Sequence, residues 1–184
     1  MIQDLLSAAV QRIQSMNASL VEEGGENPLP SPAKVLGEGV PTLAPNTYKP
    51  WTPMLKIRFE QFSAWLQATH GNWLSLSEME SIWNASAGSK AEGFKEVVAS
   101  FAENWANDAV GLFKPERISI FALHEWSNER IYLLWFDFVA EPEVWAYDSN
   151  GEAHYKNLEA YLKAYLEDDL TAYGKQWILE YPST

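Results

Sequence analysis

Residues 118–170 read ISIFALHEWSNERIYLLWFDFVAEPEVWAYDSNGEAHYKNLEAYLKAYLEDDL, and this stretch decides the fold. Its three or four short aromatic runs are typical of β-strands. The Asp148–Gly151 turn between two of them favours a tight hairpin, because Asn-Gly tolerates positive φ angles. One amphipathic helix follows, with Asn157 as its expected N-cap. The stretch also carries eleven carboxylates against three basic side chains, a composition that suits a docking surface better than most active sites.

The composition of the whole chain limits the classes of function. Its 184 residues fit one domain, with or without an appendage, and its nine tryptophans indicate a well-packed core and, more weakly, an interface. The net charge of −12 argues against direct nucleic-acid binding, since phosphates need a dense Lys/Arg face, and it steers encounters toward basic partners.

The residues that are missing limit the compartment and the chemistry. With no cysteine, the chain has no disulfides, no thiolate zinc site and no cysteine nucleophile. No basic leader precedes an apolar stretch, and no apolar run reaches membrane-spanning length. We therefore expect a cytoplasmic protein without a membrane partner.

The chain is expected to divide at residue 53. Residues 1–53 would hold an N-terminal helix over 2–20 and a proline-rich segment, because residues 22–53 contain seven of the ten prolines. That segment either packs in extended form or tethers the helix loosely. Residues 54–184 would form the main domain.

The pattern of the main domain predicts an α+β fold, with a central, curved, mostly antiparallel sheet and helices packed around it. Apolar spacing predicts helices over 54–69 and 91–107, and a capping box between Ser77 and Glu80 opens another helix between them. The predicted strands are 73–76, 118–123, 131–136, 144–147, 153–156 and a closing strand over 177–181.

Motifs for catalysis or metal binding are absent from the sequence. It has no Gly-x-Ser-x-Gly elbow and no phosphate-binding loop. The three histidines are isolated from one another, and Asp148-x-Asn150-Gly151 lacks the leading and distal ligands of a calcium loop. We expect no catalytic residue, metal or cofactor.

One enzymatic alternative remains open, a glycan-binding or glycan-hydrolysing site. Glycosidases pair two carboxylates and stack sugars on tryptophan, and both residue types alternate here: Glu125, Trp126, Trp135, Asp137, Glu143, Trp145 and Asp148. However, Glu143 and Asp148 fall at the ends of a hairpin strand, where solvated carboxylates are common. An interaction surface is the favoured interpretation.

Six residues form the predicted partner-binding site, an acidic rim with two aromatic anchors: Trp126, Glu141, Glu143, Trp145, Asp148 and Glu152. Tryptophan ringed by polar groups is a frequent composition of binding hot spots. Reversing the charge of Glu143 and Asp148 is expected to slow association with a basic partner and leave the fold intact.

The order of these pieces resembles the SUKH superfamily, which includes bacterial immunity proteins and fungal cell-wall regulators of the Knr type. Trp73-Leu-Ser-Leu-Ser-Glu-Met-Glu80 is similar to the helix entry of that family. Arg117–Leu123, Ile131–Asp137 and Glu143–Asp148 resemble its strands, and Asn157–Asp169 resembles its closing helix. The resemblance covers residues 54–170.

This resemblance implies a non-enzymatic protein that binds and neutralises a cognate toxin, often a nuclease, inside the producing bacterium. The acidic balance of the chain fits a basic toxin. The protein itself would be a monomer or a weak homodimer.

Overall fold

The computed structural model of the chain describes residues 1–23, 29–82, 114–124, 127–137, 139–149 and 151–169. The α-helices in these ranges are α1 (Ile2–Met16), α2 (Ala18–Glu22), α3 (Pro53–Gln61), α4 (Leu76–Ser81) and α5 (Leu158–Leu166). The strands are β1 (Val40–Pro41), β2 (Tyr48–Lys49), β3 (Asn72–Trp73), β4 (Ile118–Leu123), β5 (Arg130–Leu134), β6 (Glu143–Asp148) and β7 (Gly151–Tyr155). The helix predicted over 91–107 and the strand predicted over 177–181 lie outside the described residues.

The main sheet is antiparallel, with the strand order β3-β4-β5-β6-β7. Its last four strands run as a meander, and each begins and ends within two residues of its predicted bounds. β1 and β2 form a separate two-stranded ribbon. Helices packed on an antiparallel sheet confirm the predicted α+β class.

The predicted tight turn joins β6 to β7. Asp148 pairs with Gly151 across it, and the φ angle of Gly151 is 133°, a conformation that side-chain-bearing residues rarely adopt. Asn157 caps α5 as predicted, because its side-chain oxygen accepts the N–H of Ala160 at 2.9 Å. The tight turn therefore fixes where β7 begins, and the Asn157 cap fixes where α5 begins.

Alternation along the strands gives the sheet two chemically different faces. One face carries small and apolar side chains such as Val144 and Ala146, and α5 packs on it, with the rings of Tyr155 and Tyr161 5.3 Å apart. The opposite face, here called the polar–aromatic face, is formed by Arg130, Tyr132, Glu143, Trp145, Tyr147, Glu152 and His154.

α1 belongs to the same hydrophobic core as the sheet. Its buried side chains recur every three or four residues: Ile2, Leu6, Ala9 and Ile13. They face α3 and α5, but the helix predicted over 2–20 ends at the exposed Met16, and α2 follows Asn17. Beside the buried side chains, Arg12 donates to the carbonyl of Leu166 at 2.7 Å and pairs with Asp168. The domain boundary at residue 53 stays a prediction.

The proline-rich segment, in its described part, packs in extended form. The N–H of Ser31 donates to the carbonyl of Ala64 at 2.7 Å, and the N–H of Ser63 donates back to Ser31 at 3.0 Å. Pro32 forms an isolated bridge with Phe62 beside these bonds. Residues 29–52, called the extended segment below, are therefore bonded to the chain that follows α3.

That bridge explains why the prediction of a helix over 54–69 is wrong in its second half. α3 ends at Gln61, and Phe62 is extended, with φ −157° and ψ 157°. A continued helix would bury Leu66 together with Leu55 and Phe59, but Leu66 is 51% exposed. Pairing with a segment far back in the chain overrides the helical spacing of the apolar residues.

The start of α4 also differs from its prediction. The capping box forms between Ser75 and Glu78, not between Ser77 and Glu80. Ser75 accepts the N–H of Glu78, and the Glu78 carboxylate accepts the N–H of Ser75 at 2.8 Å. Both pairs have the three-residue spacing, but β3 ends at Trp73, so the helix can begin two residues earlier than predicted.

Arg58 lies fully buried at the centre of the helical side of the fold. Its guanidinium donates to three backbone carbonyls, those of Phe62 at 3.1 Å, Ser63 at 2.8 Å and Leu74 at 3.0 Å. The ring of Phe59 lies 3.9 Å from its central carbon. Burial lowers the pKa of Arg58 to about 9 against the opposing charge of Glu78, so the group is still charged at neutral pH.

Replacing this guanidinium should be costly. Arg58→Lys keeps the charge, but a single ammonium cannot span the carbonyls that end α3 and precede α4, so we expect the free energy of unfolding to fall by about 3 kcal/mol. Chemical denaturation measures the change. Lys56→Ala, on the exposed side of the same helix, is the control and should cost less than about 0.5 kcal/mol. Equal costs for the two variants would contradict the assigned role.

Candidate partner-binding site

The structure places five of the six predicted site residues, and they fall in three environments. Glu143, Trp145 and Glu152 lie on the polar–aromatic face of the β6–β7 hairpin. Asp148 lies at the tip of that hairpin on the opposite face, and Glu141 lies in the loop before β6. Trp126 lies outside the described residues, so its role stays a prediction.

Trp145 is held in place from two sides. Its ring stacks on His154 of the neighbouring strand, with centroids 3.7 Å apart and planes 13° from parallel. Its indole N–H donates to Glu143 Oε2 at 2.8 Å. The side chain is half-buried. Trp145 therefore presents a fixed aromatic edge to solvent, and a partner would meet it without a large loss of side-chain entropy.

The sequence predicts that Glu143 lies on an exposed rim, but in the structure this side chain is buried. It is 3% exposed, and its Oε1 has no hydrogen-bond partner. Burial raises the pKa of Glu143, and the bond from Trp145 opposes that rise. The expectation that charge reversal here leaves the fold intact is therefore corrected, because a lysine at this position would bury a charge without a partner.

Glu141 serves the fold directly. Its Oε1 accepts the N–H of Met54 at 2.9 Å and its Oε2 accepts the hydroxyl of Thr52 at 2.5 Å. Thr52 is the N-cap of α3 and makes no cap bond with its own side chain. A carboxylate from residue 141 thus caps a helix that begins at residue 53, where the positive end of the helix dipole also favours it.

Glu152 is the accessible carboxylate of the polar–aromatic face, and His154 lies beside it. The side chain of Glu152 is 51% exposed, and its Oε1 lies 3.4 Å from Nε2 of His154. Burial lowers the pKa of His154, while Glu152 raises it. A half-exposed carboxylate beside a stacked pair of rings can accept a lysine or arginine from a partner.

Asp148 completes the hairpin tip and has a neighbour that the sequence did not reveal. Its Oδ2 lies 3.9 Å from Nε2 of His70, which sits in the loop between α3 and β3. The side chain of Asp148 is 21% exposed, so a partner could also reach it. The contact between His70 and Asp148 could not be predicted from the spacing of residues in the sequence. It forms because the folded sheet brings the hairpin tip close to the loop that holds His70.

Three cavities in the structure lie away from the hairpin. Cavities of about 210, 440 and 490 Å³ flank the extended segment. Their walls are mainly apolar, serine and glutamine side chains. Within the described ranges, no group of three or more His, Asp or Glu side chains could hold a metal ion. No helix in those ranges is long and apolar enough to cross a bilayer.

Loss of the Glu141 carboxylate should destabilise α3. For Glu141→Ala we expect a fall of about 1–2 kcal/mol in the free energy of unfolding, the usual cost of removing a helix cap. Urea denaturation monitored by circular dichroism measures it. Glu152→Ala is the matched control, because that carboxylate caps no helix. If Glu141→Ala cost no more than the control, the capping role would be refuted.

Glu143 makes a prediction with a defined dependence on pH. Because its pKa is raised in the folded state, ionisation of Glu143 costs stability as the pH rises above 4.5. Glu143→Gln keeps an acceptor for Trp145 without the charge. It should raise the free energy of unfolding at pH 7 by about 1 kcal/mol, and this advantage should vanish near pH 4. A loss of stability at pH 7 would contradict the assignment, and Glu152→Gln is the control.

Comparison with known proteins adds no relative to these observations. No family model matches the chain, and neither the curated proteins nor the solved structures contain a match. A role for this chain is thus proposed from its own sequence and geometry.

Proposed function

We propose that this chain is a non-enzymatic immunity protein that binds and neutralises a cognate basic toxin in the bacterial cytoplasm. The observation that carries the proposal is the β6–β7 hairpin. It holds the partly buried, stacked Trp145–His154 pair beside the half-exposed carboxylate of Glu152, and Asp148 lies at its tip on the opposite face with 21% of its side chain exposed. An aromatic edge with flanking acids suits a cationic protein surface.

The charge of the chain supports the same kind of partner. Its net charge of −12 would attract a basic protein over a distance of about 10 Å at moderate salt. Complementary charge mainly raises the association rate and fixes the orientation of the complex. Both properties suit an inhibitor that must capture a toxin before it acts.

The order of elements is further support. Strands β4, β5 and β6 are the three segments that resemble SUKH strands, and α5, which follows β7, is the segment that resembles the closing helix of that family. α4 begins inside the stretch that resembles the helix entry of that family. The resemblance supplies the specific role, toxin neutralisation.

The glycan alternative has less support. A glycosidase needs two carboxylates facing one sugar, but Asp137 pairs with Arg117 at 2.6 Å and Glu143 is buried against Trp145. A sugar-binding site needs a free aromatic face, and His154 occupies one face of Trp145. No observation on the described residues favours this function over protein binding.

Charge reversal at the accessible carboxylate tests the proposed surface. The probe is a purified toxin domain encoded next to the gene for this chain, and association is followed by biolayer interferometry at 50 and 300 mM salt. Glu152→Lys should slow association about fivefold at low salt and weaken its salt dependence. The matched control is Glu60→Lys on α3, whose side chain is equally exposed.

Two outcomes would refute parts of the proposal. If the toxin domain does not bind the wild-type chain and stays active in its presence, the immunity role is wrong. If it binds but Glu152→Lys and Glu60→Lys slow association equally, the role survives and the hairpin is not the interface.

A further inference from the structure

His70 occupies a position fixed by the backbone around it. It is 7% exposed and precedes Gly71, whose φ angle is +74°. A Cβ atom on Gly71 would lie 2.8 Å from the carbonyl carbon of Leu123, so only glycine fits this close approach to β4. The imidazole is therefore held rigidly between α5 and the tip of the β6–β7 hairpin.

Each ring nitrogen of His70 has a polar neighbour from a different element. Nδ1 lies 2.7 Å from the hydroxyl of Tyr161 on α5, and that hydroxyl also bonds to Thr69. Nε2 faces the carboxylate of Asp148 at the hairpin tip.

The contact with Asp148 depends on the charge of His70. Nε2 of the imidazole and Oδ2 of Asp148 lie 3.9 Å apart, which is too far for a hydrogen bond. When the imidazole becomes a cation, the same geometry is an ion pair that a small side-chain movement can close into a charge-assisted hydrogen bond.

Several titratable groups act on His70. Burial lowers its pKa, while Asp148 and Glu129 raise it. Tyr161 faces it from α5, and Tyr155 of β7 stands behind Tyr161. His124 follows β4, and its backbone lies against Gly71. Among these, Asp148 is the carboxylate whose atoms lie within ion-pair distance of the imidazole.

We infer that His70 and Asp148 form a proton-operated latch. When His70 takes up a proton, the imidazolium pairs with Asp148 and withdraws this carboxylate from a cationic partner. Acidification therefore weakens binding at the hairpin tip. The effect on a partner rests on the proposed function, whereas the pairing of the two side chains does not.

Imidazole resonances followed by nuclear magnetic resonance across pH 4 to 8 test the pairing. His70 should titrate below its ordinary pKa of 6.5, and Asp148→Asn should move that midpoint down by about one pH unit. The matched control is Glu152→Gln, which removes the carboxylate beside His154 and should move the midpoint of His154 alone. An unchanged His70 midpoint in Asp148→Asn overturns the latch.

A deca-lysine peptide is the probe for the effect on binding. The wild-type chain should bind it about fivefold more weakly at pH 5.5 than at pH 7.5, and Asp148→Asn should show less than half of that change. Equal pH dependence in the two proteins overturns the binding consequence. If the toxin domain binds but the pH midpoint of His70 is the same in the wild-type chain and in Asp148→Asn, the latch is refuted and the proposed function is not. If the midpoint of His70 shifts in Asp148→Asn but the toxin domain does not bind, the proposed function is refuted and the latch is not.

Discussion

The buried guanidinium of Arg58 is the constraint on which the helical side of the fold depends. It links the end of α3 to the residue that precedes the Ser75 cap of α4, and Ser63, one of its acceptors, also bonds to the extended segment. Desolvating a guanidinium is expensive, and three carbonyls and the surrounding aromatic rings offset this cost. Because each acceptor lies at a junction, Arg58 fixes how three segments meet rather than adding to a single contact.

Signals carried by a few neighbouring residues were enough to predict much of the fold. The Asn-Gly turn, the cap at Asn157 and the apolar spacing of α1 needed no knowledge of the rest of the chain. The end of α3 could not be predicted in this way, because it is set by the bridge between Phe62 and Pro32. The capping box of α4 was ambiguous for a different reason: two serines have the same spacing to a glutamate.

The candidate site was predicted in outline, and the roles of its carboxylates were not. Glu141, Glu143 and Glu152 are indistinguishable in the sequence as acids around a hairpin. In the structure, the first caps α3, the second is buried against Trp145, and the third is half-exposed. Which role a carboxylate takes depends on what packs on its strand or loop, and strand alternation does not specify that. The contact between His70 and Asp148 could not be predicted for the same reason, because it depends on which segments pack against each other.

The bond between Arg12 and Leu166 has a consequence for synthesis of the chain. These residues are 154 positions apart, so α1 leaves the ribosome long before α5, its main partner, has been made. At roughly 5–20 residues per second, the apolar stripe of α1 stays uncovered for roughly 8–30 seconds. During that interval the apolar stripe of α1 in the nascent chain can aggregate or bind a chaperone. A chaperone that covers it would raise the fraction of chains that reach the folded state.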